Sequence, residues 1–204
     1  MTFALRLIED RLQAGARLSL PPTPRVLYAR ERGAMLCTGA AALGVAVETS
    51  MLRFELCGPD LPSATALGKI DSRQLLERAI ELDPARAWLI RCDRVDFAPG
   101  GVALPHGHRG GGIRCLLTGT LEVTVGDGPP RLMREGDAWF ESGREPVLAK
   151  ASAETPTAFI RVSVLPADIR GQSSIVYVDP ADATRGRPRQ YTVYVDEPIT
   201  LPGR

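Results

Sequence analysis

The sequence predicts an all-β protein. Strand-like segments recur about every eight to twelve residues through its second half, the spacing of a sandwich or barrel. The 20 glycines and 17 prolines are spread along the chain rather than gathered in one tract, as many tight turns require. A chain of 204 residues with 44% hydrophobic content can also fill a buried core.

Taken in order, residues 3–13 place Leu5, Ile8 and Leu12 three to four apart, which predicts a short amphipathic helix stopped by Gly15. Residues 25–29, 34–37, 44–47 and 51–56 alternate or are rich in strand formers, and predict a small first sheet. Asp71 and Ser72 offer N-cap oxygens to a second helix over 73–82, with Leu75, Leu76, Ala79 and Ile80 on one face and Asp83-Pro84 as its stop. These elements divide the chain into a first half, 1–70, a linker helix, 71–87, and a barrel, 88–170. Within the barrel, strands are predicted at 88–92, 94–97, 113–117, 120–125, 138–140, 146–150 and 158–164.

A C-terminal extension, 171–204, carries two alternating strands, Ile175-Val176-Tyr177-Val178 and Tyr191-Thr192-Val193-Tyr194-Val195, around an Arg-rich loop. Strands this near a terminus cover a sheet edge or pair with a second copy, so a homodimer is expected. The halves also align as a divergent repeat, residues 25–36 on 113–123 and 51–56 on 159–165.

Composition removes several function classes. The net charge is +1 from 25 basic and 24 acidic residues, with no polybasic run, so nucleic acid is not an expected partner. No apolar stretch is long enough for a membrane span, and residues 1–14 lack a signal-peptide core, so the cytoplasm is the expected compartment. The four cysteines form no CxxC pair and have apolar neighbours, which predicts reduced core thiols.

The chemistry concentrates in Pro105-His106-Gly107-His108, which holds both histidines of the chain. On a strand, residues two apart point to one face, so the two imidazoles can reach one divalent ion. Metal binding, metal-free ligand binding or acid-base chemistry, and a purely structural role all stay open. Two imidazoles bind a dication poorly alone, so a further ligand is needed, from a residue such as Glu141 or Glu145 or from the substrate itself, with Glu141 preferred because it follows Trp139-Phe140 at the expected barrel mouth. Arg114, by alternation, points inward and needs an anionic partner, a substrate carboxylate or an internal Glu. Arg161 poses the same question. Trp139 is a candidate for stacking on a substrate, or for the core.

The spacing of Gly100, His106-Gly107-His108 and Gly119, followed by Arg134-Glu135-Gly136-Asp137, resembles the two motifs of the cupin superfamily across about residues 94–166. The resemblance implies a double-stranded β-barrel with short flanking helices, the first half being a degenerate repeat. It implies a small-molecule protein with a divalent metal (Fe, Mn, Ni, Zn or Cu) at His106 and His108, and an oxygenase or isomerase activity with Arg114 on an acidic substrate. It equally admits a metal-free binding or sensor protein. The sequence departs from the family where a Glu ligand is expected, at Gly112, and where a His is expected, at Pro146. The bare Gly112 is expected to open room beside the histidines for a ligand or water.

Overall fold

The computed structural model describes residues 1–185 and 189–203. It divides into two compact units, one of Met1–Trp88 with Glu197–Arg204, the other of Leu89–Asp196. Both are built almost wholly from strands, as predicted.

The first unit contains β1 (Thr2–Leu12), β2 (Arg17–Leu20), β3 (Arg25–Ala29), β4 (Gly33–Cys37), β5 (Ala41–Gly44), β6 (Thr49–Cys57), β7 (Thr65–Leu67) and β8 (Ile70–Glu81). They form one sheet in the order β4-β3-β6-β1-β8 and a smaller one in the order β5-β2-β7. Both predicted helices are strands, β1 and β8, paired antiparallel with each other. The reason is a register shift. Phe3, Leu5 and Leu7 are buried at a spacing of two, the ladder slips between Leu7 and Ile8, and burial resumes at Asp10 and Leu12. A strand carrying such a slip presents apolar residues at mixed spacings of two and three, which imitates a helical stripe. On β8 the Leu75-Leu76 doublet lies at the slip, with Leu75 unpaired in the register. β5 also sits earlier than expected, at Ala41–Gly44 instead of 44–47.

The second unit contains β9 (Trp88–Phe97), β10 (Val102–His108), β11 (Gly112–Thr118), β12 (Leu121–Val125), β13 (Arg131–Met133), β14 (Ala138–Glu141), β15 (Val147–Ala151), β16 (Thr157–Pro166), β17 (Ile175–Tyr177) and β18 (Arg189–Ile199). Two five-stranded sheets result, β13-β12-β15-β10-β17 and β14-β11-β16-β9-β18. The only helical pieces among the described residues are two 3-10 turns, Ala167–Ile169 and Pro180–Thr184. Residues 186–188, part of the predicted Arg-rich loop, lie outside the described residues.

Between the sheets packs a core that includes Val95, Phe97, Leu116, Val123, Trp139 and Phe159. Gly119 turns the chain from β11 to β12 at φ +76°, and a Cβ there would fall 2.6 Å from the Pro156 carbonyl. Only glycine serves both requirements.

The two large sheets share a strand order. β3 beside β6 in the first unit corresponds to β11 beside β16 in the second, the strands the sequence alignment superposes. One ion pair is also laid twice. Arg53 of β6 donates to both oxygens of Asp10 on β1, at 2.7 and 3.1 Å, and Arg161 of β16 donates to both oxygens of Asp93 on β9, at 2.8 and 2.5 Å. All four side chains are buried.

Candidate functional site in the second barrel

The histidines reach the interior because β10 breaks its alternation. Ala103 pairs with Ala149 and His106 with Val147, so the ladder slips between them, at Pro105, which has no N–H to give. Ala103, His106 and His108 are therefore all buried, whereas unbroken alternation from Ala103 would have turned 105 and 107 inward. The two rings meet edge to face with centroids 4.9 Å apart.

Their hydrogen bonds assign them different tautomers. His106 Nδ1 lies 2.7 Å from the Leu104 carbonyl, which only accepts, so Nδ1 carries the proton and Nε2 keeps its lone pair. His108 Nε2 lies 3.3 Å from Glu141 Oε2 and its Nδ1 lies 3.3 Å from Ser174 Oγ. The neutral ring thus donates from Nε2 to the carboxylate and accepts from the serine at Nδ1. Burial is the main cause that holds both rings neutral, lowering His106 below the ordinary histidine value and His108 to about 3.

Glu141 ends β14, directly opposite Gly112. Burial acts to raise its pKa, but Arg114 and then His108 outweigh that and hold it ionised, well below the usual carboxylate range. Oε1 accepts from the Trp139 indole at 2.8 Å, and Oε2 lies 2.7 Å from Arg114 Nη2. Arg114 Nη1 donates to the Gly112 carbonyl at 2.6 Å. Nη2 forms an ion pair with Glu141, but the contact lacks hydrogen-bond geometry and Nη2 has no other hydrogen-bond partner. Of the two partners foreseen for Arg114, the internal Glu is present. Glu145, by contrast, is exposed and bonded to Ser142.

Gly112 does not open the space expected of it. A Cβ there would fall 2.5 Å from both Ser163 Oγ and the Val162 carbonyl, so β16 already fills that volume. The room lies elsewhere, in a cavity of about 20 Å³ lined by His106, His108, Arg114, Trp139, Glu141 and Arg189, among others. That is space for about one water-sized body. A wider cleft of about 380 Å³ shares Arg161 and Tyr191 with it and continues past Arg91, Ser173 and Ser174. Trp139 is 4% exposed and packs edge to face on Phe159 while lining the cavity, so it serves the core and the wall together.

Sequence reasoning passed over Asp93, Ser174, Arg189 and Tyr191. Alternation in β18 could have signalled the last two, since Arg189 and Tyr191 are two apart on one strand.

The neutral rings and the ionised Glu141 predict acid lability. A histidine whose folded value lies below its unfolded one takes up a proton on unfolding, so stability is full above about pH 6.5 and falls as the pH drops toward 3. Glu141 adds to the loss below its ordinary titration range, since its folded value is lowered. Urea midpoints measured from pH 7 to pH 4 are expected to fall steadily, and the slope between pH 6.5 and 5 should flatten in His108→Gln.

A metal centre of His106, His108 and Glu141 does not fit this arrangement. His108 spends Nε2 on the carboxylate, and Glu141 has both oxygens engaged, one of them beside a guanidinium. Among the described residues no group of three or more His, Cys, Asp or Glu is placed to hold a metal ion.

The second unit is thus an antiparallel β-barrel with a buried, charged interior and a cavity at its polar residues. A family model described as the cupin domain matches residues 93–162, and the second unit of this chain is a cupin domain. Among solved structures, the 11S allergen from Cocos nucifera has 10% identity, a TM-score of 0.56, and coverage of 85% of this chain and 83% of that one. A salicylate 1,2-dioxygenase from Pseudaminobacter salicylatoxidans has 11% identity and a TM-score of 0.44, with 94% and 71% covered. An oxalate oxidase structure has 24% identity and a TM-score of 0.39 over 48% of this chain. That match spans about half, 51%, of the oxalate oxidase chain. No curated protein matches. No helix among the described residues is long and apolar enough to cross a membrane.

Proposed function

We propose that the second barrel binds a small anionic molecule in its interior, at His106, His108 and Arg114, with Trp139 against the ligand's flat or apolar part. One observation carries this reading. Two buried arginines line one cavity, and each has an Nη2 without a hydrogen-bond partner: that of Arg114 is ion-paired with Glu141, whereas that of Arg189 has no carboxylate beside it among the described residues. Buried donors of this kind are costly unless something accepts from them, and an oxyanion is the acceptor that suits them best. His106 Nε2 adds an acceptor for a ligand O–H.

A second reading keeps a divalent metal, and with it oxygenase or isomerase activity. It is favoured by the His106 tautomer alone, since Nε2 presents the lone pair a metal requires. It needs Glu141 to leave Arg114, or the ligand to supply the remaining positions. A homodimer is part of either reading, because β17 and β18 each end their sheet.

The test is thermal unfolding of the untagged protein with panels of small carboxylic acids, amines and neutral alcohols. Acids are expected to raise the melting temperature by several degrees near saturation, because a ligand at 100 times its Kd adds about 2.7 kcal/mol. Amines and alcohols should not. Equal shifts from all three panels, or none from the acids, would remove the anionic reading. Elemental analysis for Fe, Mn, Ni, Zn and Cu beside a His106→Ala, His108→Ala double variant decides the second reading, which falls if the two proteins carry the same metal.

A further inference from the structure

Of the four arginines that line the two spaces in the barrel, which share Arg161 and Tyr191 as walls, three are matched by a carboxylate. Arg91 pairs with Asp196 at 2.8 Å, Arg161 with Asp93 at 2.5 Å, and Arg114 with Glu141 at 2.7 Å. Arg189, at the start of β18, is the exception. It is 7% exposed, its Nε donates to the Tyr191 hydroxyl, its guanidinium lies 5.8 Å from the centre of the Tyr191 ring, and its Nη2 has no partner. No carboxylate among the described residues lies within ion-pair distance of it.

A buried, uncompensated guanidinium costs folding free energy and is retained where something else supplies the negative charge. Tyr191 fixes the direction of the fork from one side. Arg189 lines the cavity that also holds His106 and Glu141. Glu141 repels an anion from the Arg114 side, so the uncompensated charge selects the end of the cavity at which an anion settles.

We infer that Arg189 is the ligand-binding residue for a carboxylate: one carboxylate oxygen takes the single water-sized place in the small cavity and accepts from the free Nη2, and the rest of the molecule extends past Tyr191 and Arg161 into the 380 Å³ cleft. This rests on the anionic-ligand reading above and sharpens it, moving the decisive contact from Arg114, which Glu141 neutralises, to the C-terminal strand. It is an ion-pair and hydrogen-bond interaction with no covalent step.

The experiment titrates sodium acetate, with methylammonium chloride as the cationic control, into the full chain carrying Trp88→Phe. Trp139 then reports alone from the cavity wall. Saturable fluorescence change is expected with acetate only. Arg189→Gln should weaken acetate by about tenfold or more, and Arg189→Lys, which keeps the charge but loses the fork, by a smaller factor. Without acetate, Arg189→Gln should melt no lower than the parent, because the group removed was uncompensated. Acetate affinity within twofold of the parent in Arg189→Gln overturns the assignment while leaving the anionic reading in place. Absence of acetate binding in the parent overturns both. Should Arg189→Gln not fold, Arg189→Lys carries the test, and parental affinity in that variant overturns the assignment equally.

Discussion

Glu141→Gln should destabilise the second unit by about 3–5 kcal/mol, the cost of leaving a buried charge without its partner. Arg114 is 1% exposed and among the described residues has no other carboxylate within ion-pair distance, so its guanidinium would remain in the interior hydrogen-bonded only to the Gly112 carbonyl. Burial already lowers Arg114 to about 10 with Glu141 present, which shows how far the interior opposes its charge. The same substitution removes the acceptor of His108 Nε2 and weakens that of the Trp139 indole, so three side chains lose their positions together. Urea unfolding followed through Trp139 measures the loss. A midpoint shift worth less than about 1 kcal/mol would mean that water reaches Arg114, and that the pair contributes as little as a surface ion pair does.

In the first unit the corresponding effect is expected from Asp10→Ala, again about 3–5 kcal/mol. Asp10 is fully buried and accepts two hydrogen bonds from Arg53 and one from Ser72 at 2.5 Å. Arg53 also reaches Glu55 at 2.9 Å, and Glu55 accepts from Arg25 at 3.0 Å, so the network alternates in sign with two positive and two negative members. Removing Asp10 breaks that balance. Replacing both partners by apolar residues, Asp10→Leu with Arg53→Met, should cost far less than Asp10→Ala, since no charge is stranded. Denaturant unfolding of the single and double variants decides it. If the double variant is as unstable as the single, the bridge is held for its bonds rather than for its neutrality.

These two networks explain the division of roles. In the first unit the buried charges Asp10, Arg25, Arg53 and Glu55 answer one another. In the second, Arg189 stands outside the pairing, and the cavity lies beside it.

How much of this was legible in the sequence follows from the range of the interactions. The barrel was, because alternation and glycine-marked turns are local, and Gly119 at φ +76° is a local necessity. That His106 and His108 share one face was legible as well, since it needs only the period of a strand, whereas their turn to the interior depends on the slip at Pro105. The helices predicted at 3–13 and 73–82 failed because a ladder slip between two strands some 65 positions apart is invisible to a window along one of them. The commitment of Glu141 to Arg114, and the lack of any such partner for Arg189, were hidden for a similar reason. Whether a buried arginine is matched depends on strands that pair only once the barrel has closed. The space at Gly112 was misjudged likewise, since its occupant is the backbone of β16, about fifty residues further on.

The twice-laid bridge between Arg53 and Asp10, and between Arg161 and Asp93, bears on how each barrel assembles. Sliding either strand by one residue would send the aspartate to the opposite face of its sheet from the arginine. Such a misaligned barrel would strand two charges in its interior, so each bridge acts as a proofreader, admitting one alignment of two long central strands and rejecting its nearest competitors.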